Sequence, residues 1–409
     1  MDIQTAVVHT CSNTASILKS TTRIRSPAVR YCKSAPNLRL KPLKRNSRHF
    51  SMASSIRIAV VGDVHDDWDL EEDRKALQYL KPDLVLFTGR LSYLLCFLYS
   101  LNSTDNGNVS CDFGNENVDL VKSIADLEIA KAIILGNHDA WNTSQFSGNL
   151  GDEHVGFRRM DLHTLKLSII GGRPFSCGGS QLFRKKLLIA RYAVHDMNRS
   201  AEKIYENAVG APQDHSVIFL AHNGPTGLGS AVDDICGKDW WPEGGDHGDP
   251  DLAQAISRLK ETAQLRAPLV VFGHMHKDLA YGGHRKMVVV GEDNTIYLNG
   301  AIVPRVKRVE KDNCTLRAFT IADILDGRVE KITETWVSVA GNNTTLEKEQ
   351  LMFSSNHQQP STTAAAGAVL LRRWGSRREK RGDGDLTVET PPLQIYRAFR
   401  DEPPRTNHD

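Results

Sequence analysis

No apolar run in this chain approaches the roughly 20 residues that a membrane-spanning helix needs. The richest stretch, Leu91 to Leu101, is short and broken by Ser92, Tyr93, Tyr99 and Ser100, so no membrane span is expected. Cysteine is sparse and scattered: seven residues, at 11, 32, 96, 111, 177, 236 and 314, with no Cys-x-x-Cys pair. That excludes a disulfide framework and points to reduced thiols in an intracellular or stromal compartment. Net charge is nearly lacking as well. A balance of +2 over 409 residues gives no bulk attraction to nucleic acid or to an anionic membrane.

Acidic residues are missing from one place in particular. Asp2 is the only one among the first fifty residues, which are rich in Ser, Thr, Arg and Lys and lack a long apolar h-region. This excludes a secretory signal and suits an organelle transit peptide, plastid (chloroplast) in type given the Ser/Thr content. The expected organisation is therefore a leader at 1–52, a folded body at 54–345 and a low-complexity tail at 350–409. The tail carries Arg377-Arg378-Glu379-Lys380-Arg381 beside Trp374, a charge run that reads as a solvated segment.

What is abundant in the body is a repeated plan of apolar strand, glycine, then polar side chains. Ile56 to Val61 runs into Gly62-Asp63-Val64-His65. A short apolar run ending in a turn signal reads as a strand buried on both faces, as in a parallel sheet. In extended chain, residues i and i+2 point the same way, so Asp63 and His65 are expected to face one point. Asp69 to Leu80 has helical spacing and ends at Pro82. Asp83 to Gly89 is a second strand, which makes a βαβ unit. Lys131 to Asp139, Ser216 to Pro225 and Pro268 to His276 repeat the plan. Helices are expected at Met197 to Val209 and Asp251 to Leu265. Later runs at 287–290, 295–298, 316–321 and 329–339 read as strands forming a second, more antiparallel layer.

Five strand ends thus present metal-capable groups: Asp63 with His65, Asp112 after Gly89, Asn137 with His138, His222, and His274 with His276. In open α/β sheets the carboxyl ends of strands are where ligands bind. A mixed Asp/Asn/His set suits first-row transition metals better than Mg²⁺ or Ca²⁺. In order, Asp63-x-His65, Gly89 with Asp112, Gly136-Asn137-His138-Asp139, His222 and Gly273-His274-x-His276 resemble the motifs of the calcineurin-like metallophosphoesterases.

That resemblance spans about Ile56 to Ala301 and implies a β-sandwich flanked by helices, a four-layer α/β/β/α fold. It implies two divalent or trivalent metals, Mn, Fe or Zn: one held by Asp63, His65 and His276, the other by Asn137, His222 and His274, with Asp112 between them. His138 is then the acid or transition-state stabiliser, and Asp139 orients it. The implied reaction is hydrolysis of a phosphate mono- or diester by in-line attack of a metal-bridging hydroxide. The substrate is open, nucleic acid being disfavoured by the near-neutral balance. The leader and Ala221-His222-Asn223-Gly224-Pro225 further resemble the branch shared by plants and cyanobacteria.

One departure stands out. The family's Gly-Asp pair is contiguous, whereas residues 90–111 separate Gly89 from Asp112 here. The insert reads either as a retained intron or as a real loop-out, which closure entropy tolerates because its cost grows slowly with length. Two alternatives to an active enzyme follow: a non-catalytic metal-binding scaffold, or an isoform inactivated by the insert. Around the rim, Arg173 is expected either to grip a phosphate or to sit in an ordinary turn. Residues 236–249, with Trp240 and Trp241, read as a lid or as packing against the sheet edge. His247 and His284 lack strand-end context and are expected to be non-ligands.

Overall fold

Strands buried on both faces need partners on both sides, and the fold supplies them. A computed structural model describes residues 55–65, 67–89, 91, 115–140, 143–262, 265–310 and 313–357. The chain divides into Met1–Met52 and Ala53–Asp409, and every described residue belongs to the second unit. The leader, most of the 90–111 insert, Asp112 and the tail beyond residue 357 lie outside the described residues.

Two sheets form. In the first, β1 (Ser55–Val61), β2 (Leu84–Phe87) and β3 (Lys131–Ile133) run parallel. On the other side of β1 lie β11 (Cys314–Leu325), β12 (Arg328–Ala340) and β13 (Asn343–Ser354), all antiparallel. Strand β10 (Val306–Val309) pairs with the free half of β11. The second sheet runs in the order β4 (Arg159–Leu162), β5 (Leu167–Gly171), β6 (Ser216–Leu220), β7 (Leu269–Phe272), β9 (Ile296–Asn299) and β8 (Val288–Val290). Strands β5, β6, β7 and β9 are mutually parallel.

Alternation along each strand divides the core. Ile58 and Val60 of β1, Leu84 and Leu86 of β2, Ile218 and Leu220 of β6, and Val271 of β7 share one cluster between the sheets. Their neighbours Ala59, Val61, Phe87, Phe219 and Phe272 belong to another, with residues from α1 (Leu70–Leu80), α2 (Asn115–Ala125), α5 (Met197–Val209) and α6 (Pro250–Thr262). Two shorter helices complete the set, α3 (Thr143–Leu150) and α4 (Lys185–Tyr192). Helices thus cover the outer faces of the two sheets, as expected for a four-layer α/β/β/α arrangement. No helix among the described residues is long and apolar enough to cross a membrane.

Helix α1 shows which forces hold the layers. Asp69 caps it by accepting from the Glu72 N–H at 2.9 Å, worth about 1 kcal/mol. Asp73, fully buried, is gripped by Arg317 at 2.6 Å and by Arg305, both also buried. Removing one partner of such a pair costs about 3–5 kcal/mol. Tertiary ion pairing, more than capping, fixes α1 to the β11 side of the sheet.

Two expectations need correction. The late strands do not form one layer: β8 and β9 complete the second sheet, while β10 to β13 extend the first. The expected end of the body at residue 345 falls inside β13, which runs to Ser354 and contains the start of the expected tail. Among the described residues, strand β13 pairs only with β12 and leaves most of its side chains exposed. An exposed edge strand carries polar residues on both faces, so no apolar period marks it.

Candidate metal centre

The site lies beyond the carboxyl ends of the parallel strands. Strand β1 ends at Val61, and Asp63 and His65 both have left-handed backbone, with φ of 38° and 50°. The two side chains converge through these turns, and the expected i, i+2 spacing of an extended strand does not apply. His274, after β7, is left-handed too, at φ 67°. Such conformations cost on the order of 1–3 kcal/mol each and persist where the surroundings impose them. Gly273 shows the crowding. A Cβ there would lie 2.3 Å from Thr88 Oγ1 and 2.4 Å from Asp63 Oδ1, so only glycine lets β7 pass this close to the carboxylate.

Asp63, His65 and His276 form one cluster, each offering a ligand atom within 4.8 Å of the others. Asp63 Oδ2 lies 3.8 Å from His65 Nε2 and 3.6 Å from His276 Nε2, and the two Nε2 atoms are 3.1 Å apart. The other carboxylate oxygen, Oδ1, accepts the His274 N–H at 3.0 Å and the Thr88 hydroxyl at 3.4 Å. Oδ2 is buried and has no hydrogen-bond partner, an arrangement that is costly unless a cation answers it. Burial pushes the Asp63 carboxyl up, but the imidazoles of His276 and His65 that face its free oxygen, with His222 nearby, outweigh it. Its pKa is held well below the usual carboxylate range, so the ionised form prevails. An anionic oxygen facing two imidazole nitrogens fits a first-row transition metal.

Beside it, His222 Nδ1 meets the Thr88 carbonyl at 2.7 Å and must donate there. On the neutral ring that leaves Nε2 as a lone pair, directed at Asn137 Oδ1 2.9 Å away. A ring nitrogen and an amide oxygen converging in this way are likewise a donor set for a cation. A backbone carbonyl fixing the far ring nitrogen is the usual support of a metal-binding histidine. The His274 ring packs edge-on against His222, centroids 5.0 Å apart. Asn137, His138 and Asp139 share one 3₁₀ turn, Asn137–Ala140. Buried Asp139 accepts the Gly136 N–H at 2.8 Å and the Leu91 N–H at 2.9 Å, pinning the start of the insert to this turn.

Arg173 corrects an expectation. It is 1% exposed and committed on every side, to Asp251 at 2.9 Å, Asp249 at 2.8 Å and the Gln181 carbonyl at 3.2 Å. Its guanidinium is part of the scaffold and has no face for a phosphate. One guanidinium balances one carboxylate, so the second leaves a buried negative charge. Burial and then the charge of Asp251, against the pull of Arg173, raise the Asp249 pKa to about 7. The native state therefore keeps a proton that the unfolded chain releases near pH 4. Stability from this group is full below that value and is lost as pH rises toward 7. Asp249→Asn cannot titrate. Denaturant midpoints between pH 4.5 and 7.5 should therefore fall with rising pH in the wild type relative to the variant. Parallel curves would refute this.

The segment 236–249 packs as well as exposing aromatic surface. Asn223 donates to the His247 carbonyl at 2.7 Å, and the Asp249 N–H to the Gly224 carbonyl at 2.7 Å. Sequence reasoning missed that this brings the His247 ring onto His274, stacked with centroids 6.0 Å apart. No spacing rule marks His247, because a loop and not a strand end delivers it. His284 is exposed and pairs with Asp278 at 2.9 Å. Cys177, within hydrogen-bond reach of the Asn137 side chain, is a protonated thiol whose pKa burial pushes up to about 11.

Comparison with known proteins fits this geometry. The sequence model of calcineurin-like phosphoesterases matches residues 56–278, more than half of the chain and every described strand end named above. The chain belongs to the calcineurin-like phosphoesterase family. Among solved structures, one crystal structure is 11% identical with a TM-score of 0.41, over 68% of this chain and 99% of that one. Another, a conserved uncharacterized protein from Streptococcus pneumoniae TIGR4 described as a predicted phosphoesterase, is 11% identical with a TM-score of 0.26. That match covers 73% of this chain and 98% of the other. Neither likeness is close enough to carry the assignment, which rests on the family match. No curated protein sequence matches significantly.

Proposed function

We propose that this chain is a dinuclear metal-dependent phosphoesterase, hydrolysing a phosphate mono- or diester. The observation that carries the reading is the convergence of Asp63 Oδ2, His65 Nε2 and His276 Nε2 beside the His222–Asn137 pair. Asp63, His65 and His276 hold one metal. Asn137, His222 and His274 would hold the second, and Asp112, outside the described residues, would complete the ligand set. Manganese, iron and zinc suit these ligands.

When bound, the metals supply Lewis acidity, drawing charge from the phosphate oxygens and lowering the pKa of water at the site. The residues of the chain do the rest. Thr88 fixes the orientation of the His222 ring, and Asp63 holds the backbone of His274, through the bonds described above. Water oxygen attacks phosphorus in line with the ester bond that breaks, and His138 delivers a proton to the departing oxygen. Asp139 is a positioning residue: by bonding Gly136 and Leu91 it holds the turn that carries Asn137 and His138. The first 52 residues act as a plastid-type leader on this reading, and the family branch is the one shared by plants and cyanobacteria.

Metal analysis of the full-length protein, with assays on p-nitrophenyl phosphate and bis(p-nitrophenyl) phosphate, tests the proposal. Two transition-metal ions per chain and hydrolysis of at least one ester are expected. A protein that retains no metal after reconstitution with Mn²⁺ or Zn²⁺ would overturn it.

A further inference from the structure

Next to the metal-site histidines lies a pocket of about 760 Å³, walled by residues 177–184 on one side and by the loop at 238–247 on the other. Its composition is one-sided. It holds Phe183, Trp240 and Trp241 together with two cations, Lys238 and Arg184, and no carboxylate among the described residues that line it. Trp241 is 55% exposed, an uncommon place for so large an apolar side chain. Trp240 stands edge-on to His247, ring centroids 4.8 Å apart and planes at 86°. His247 in turn stacks on His274 at 6.0 Å. Cys177, on the opposite wall, reaches the Asn137 side chain. Both walls of the pocket therefore abut residues of the second proposed metal set.

A ligand phosphate at the metal centre would place the rest of its ester in this pocket. Indole faces reward a planar ring, and base–aromatic stacking is indifferent to which base is offered. Lys238 and Arg184 reward negative charge close to that ring, and the lack of a lining carboxylate removes the repulsion an anion would meet. An aliphatic alcohol has no planar ring to offer the indole.

We infer that this pocket is the subsite for the organic part of the substrate and that the substrate is a nucleotide, with its base against Trp241 and its phosphate toward His274 and Asn137. The inference rests on the phosphoesterase reading and names the class of ester that the site takes.

Tryptophan fluorescence of the full-length metal-free protein, titrated with adenosine 5′-monophosphate and with ribose 5-phosphate, isolates the base. The two probes share phosphate and sugar. The nucleotide should bind roughly tenfold tighter or more, the scale of one stacked base. Trp241→Ala should erase the difference, while Trp241→Phe, which keeps a ring, should retain most of it. Trp241 is exposed, so neither change should unfold the protein, and circular dichroism checks this. Equal binding of the two probes, or a nucleotide affinity that Trp241→Ala leaves unchanged, would overturn the subsite. If the Mn²⁺-loaded protein still hydrolyses bis(p-nitrophenyl) phosphate in that case, the phosphoesterase reading stands. Base-dependent binding without hydrolysis of any ester would instead overturn that reading, and the substrate assignment with it.

Discussion

Asp63→Asn is expected to strip the protein of transition metal and to lower phosphoester hydrolysis by more than about 100-fold. The estimate follows from position. Loss of partners one shell further out costs about 10–100-fold in affinity or activity, and Asp63 is proposed as a direct ligand. Asparagine keeps the volume of the buried side chain and can still accept the His274 N–H through its amide oxygen, so the backbone around Gly273 is preserved. What it removes is the anionic Oδ2 that faces His65 and His276 at 3.8 and 3.6 Å. Elemental analysis of the purified variant, beside a thermal melt, reads both effects. A variant with normal metal content would sink the assignment of Asp63 as a ligand.

His138→Asn should act differently, lowering turnover by about 10²–10⁴-fold, the usual worth of a positioned acid, with metal content unchanged. Its signature is a dependence on the leaving group. Aryl phosphates whose phenol is acidic need little help from a proton donor, so the loss should be smallest for them and grow as the phenol becomes more basic. A uniform loss across the series would remove His138 from the leaving-group side of the reaction. Loss of metal together with activity would assign it to the metal shell.

Much of this arrangement was legible because it is local. Apolar run, glycine and rim side chain are contiguous in Ile56 to His65 and again in Pro268 to His276, and burial on both faces explains why those runs do not alternate. The features that sequence did not reveal are those that depend on residues far apart. Arg173 finds Asp249 and Asp251 some 76 and 78 positions away, and nothing near Arg173 announces a buried triad. The aromatic pocket joins two loops, and its histidine meets His274 only through the path of residues 236–249. The left-handed turns at Asp63, His65 and His274 were also hidden, because those residue types do not demand them. The turn is imposed by packing around Thr88 and Gly273. Strand β13 went unread for the opposite reason, since an edge strand has too little to bury.

The hydrogen bond from the Leu91 N–H to Asp139 bears on how this gene tolerates change. The chain leaving β2 is anchored to the Asn137–Ala140 turn at the second residue of the anomalous segment. The bond ties that turn to the chain at Leu91, whatever length of chain lies between them. Because the donor is a backbone N–H, any residue but proline at this place can make the same bond, so the turn that carries Asn137 and His138 does not depend on which side chain the segment puts there.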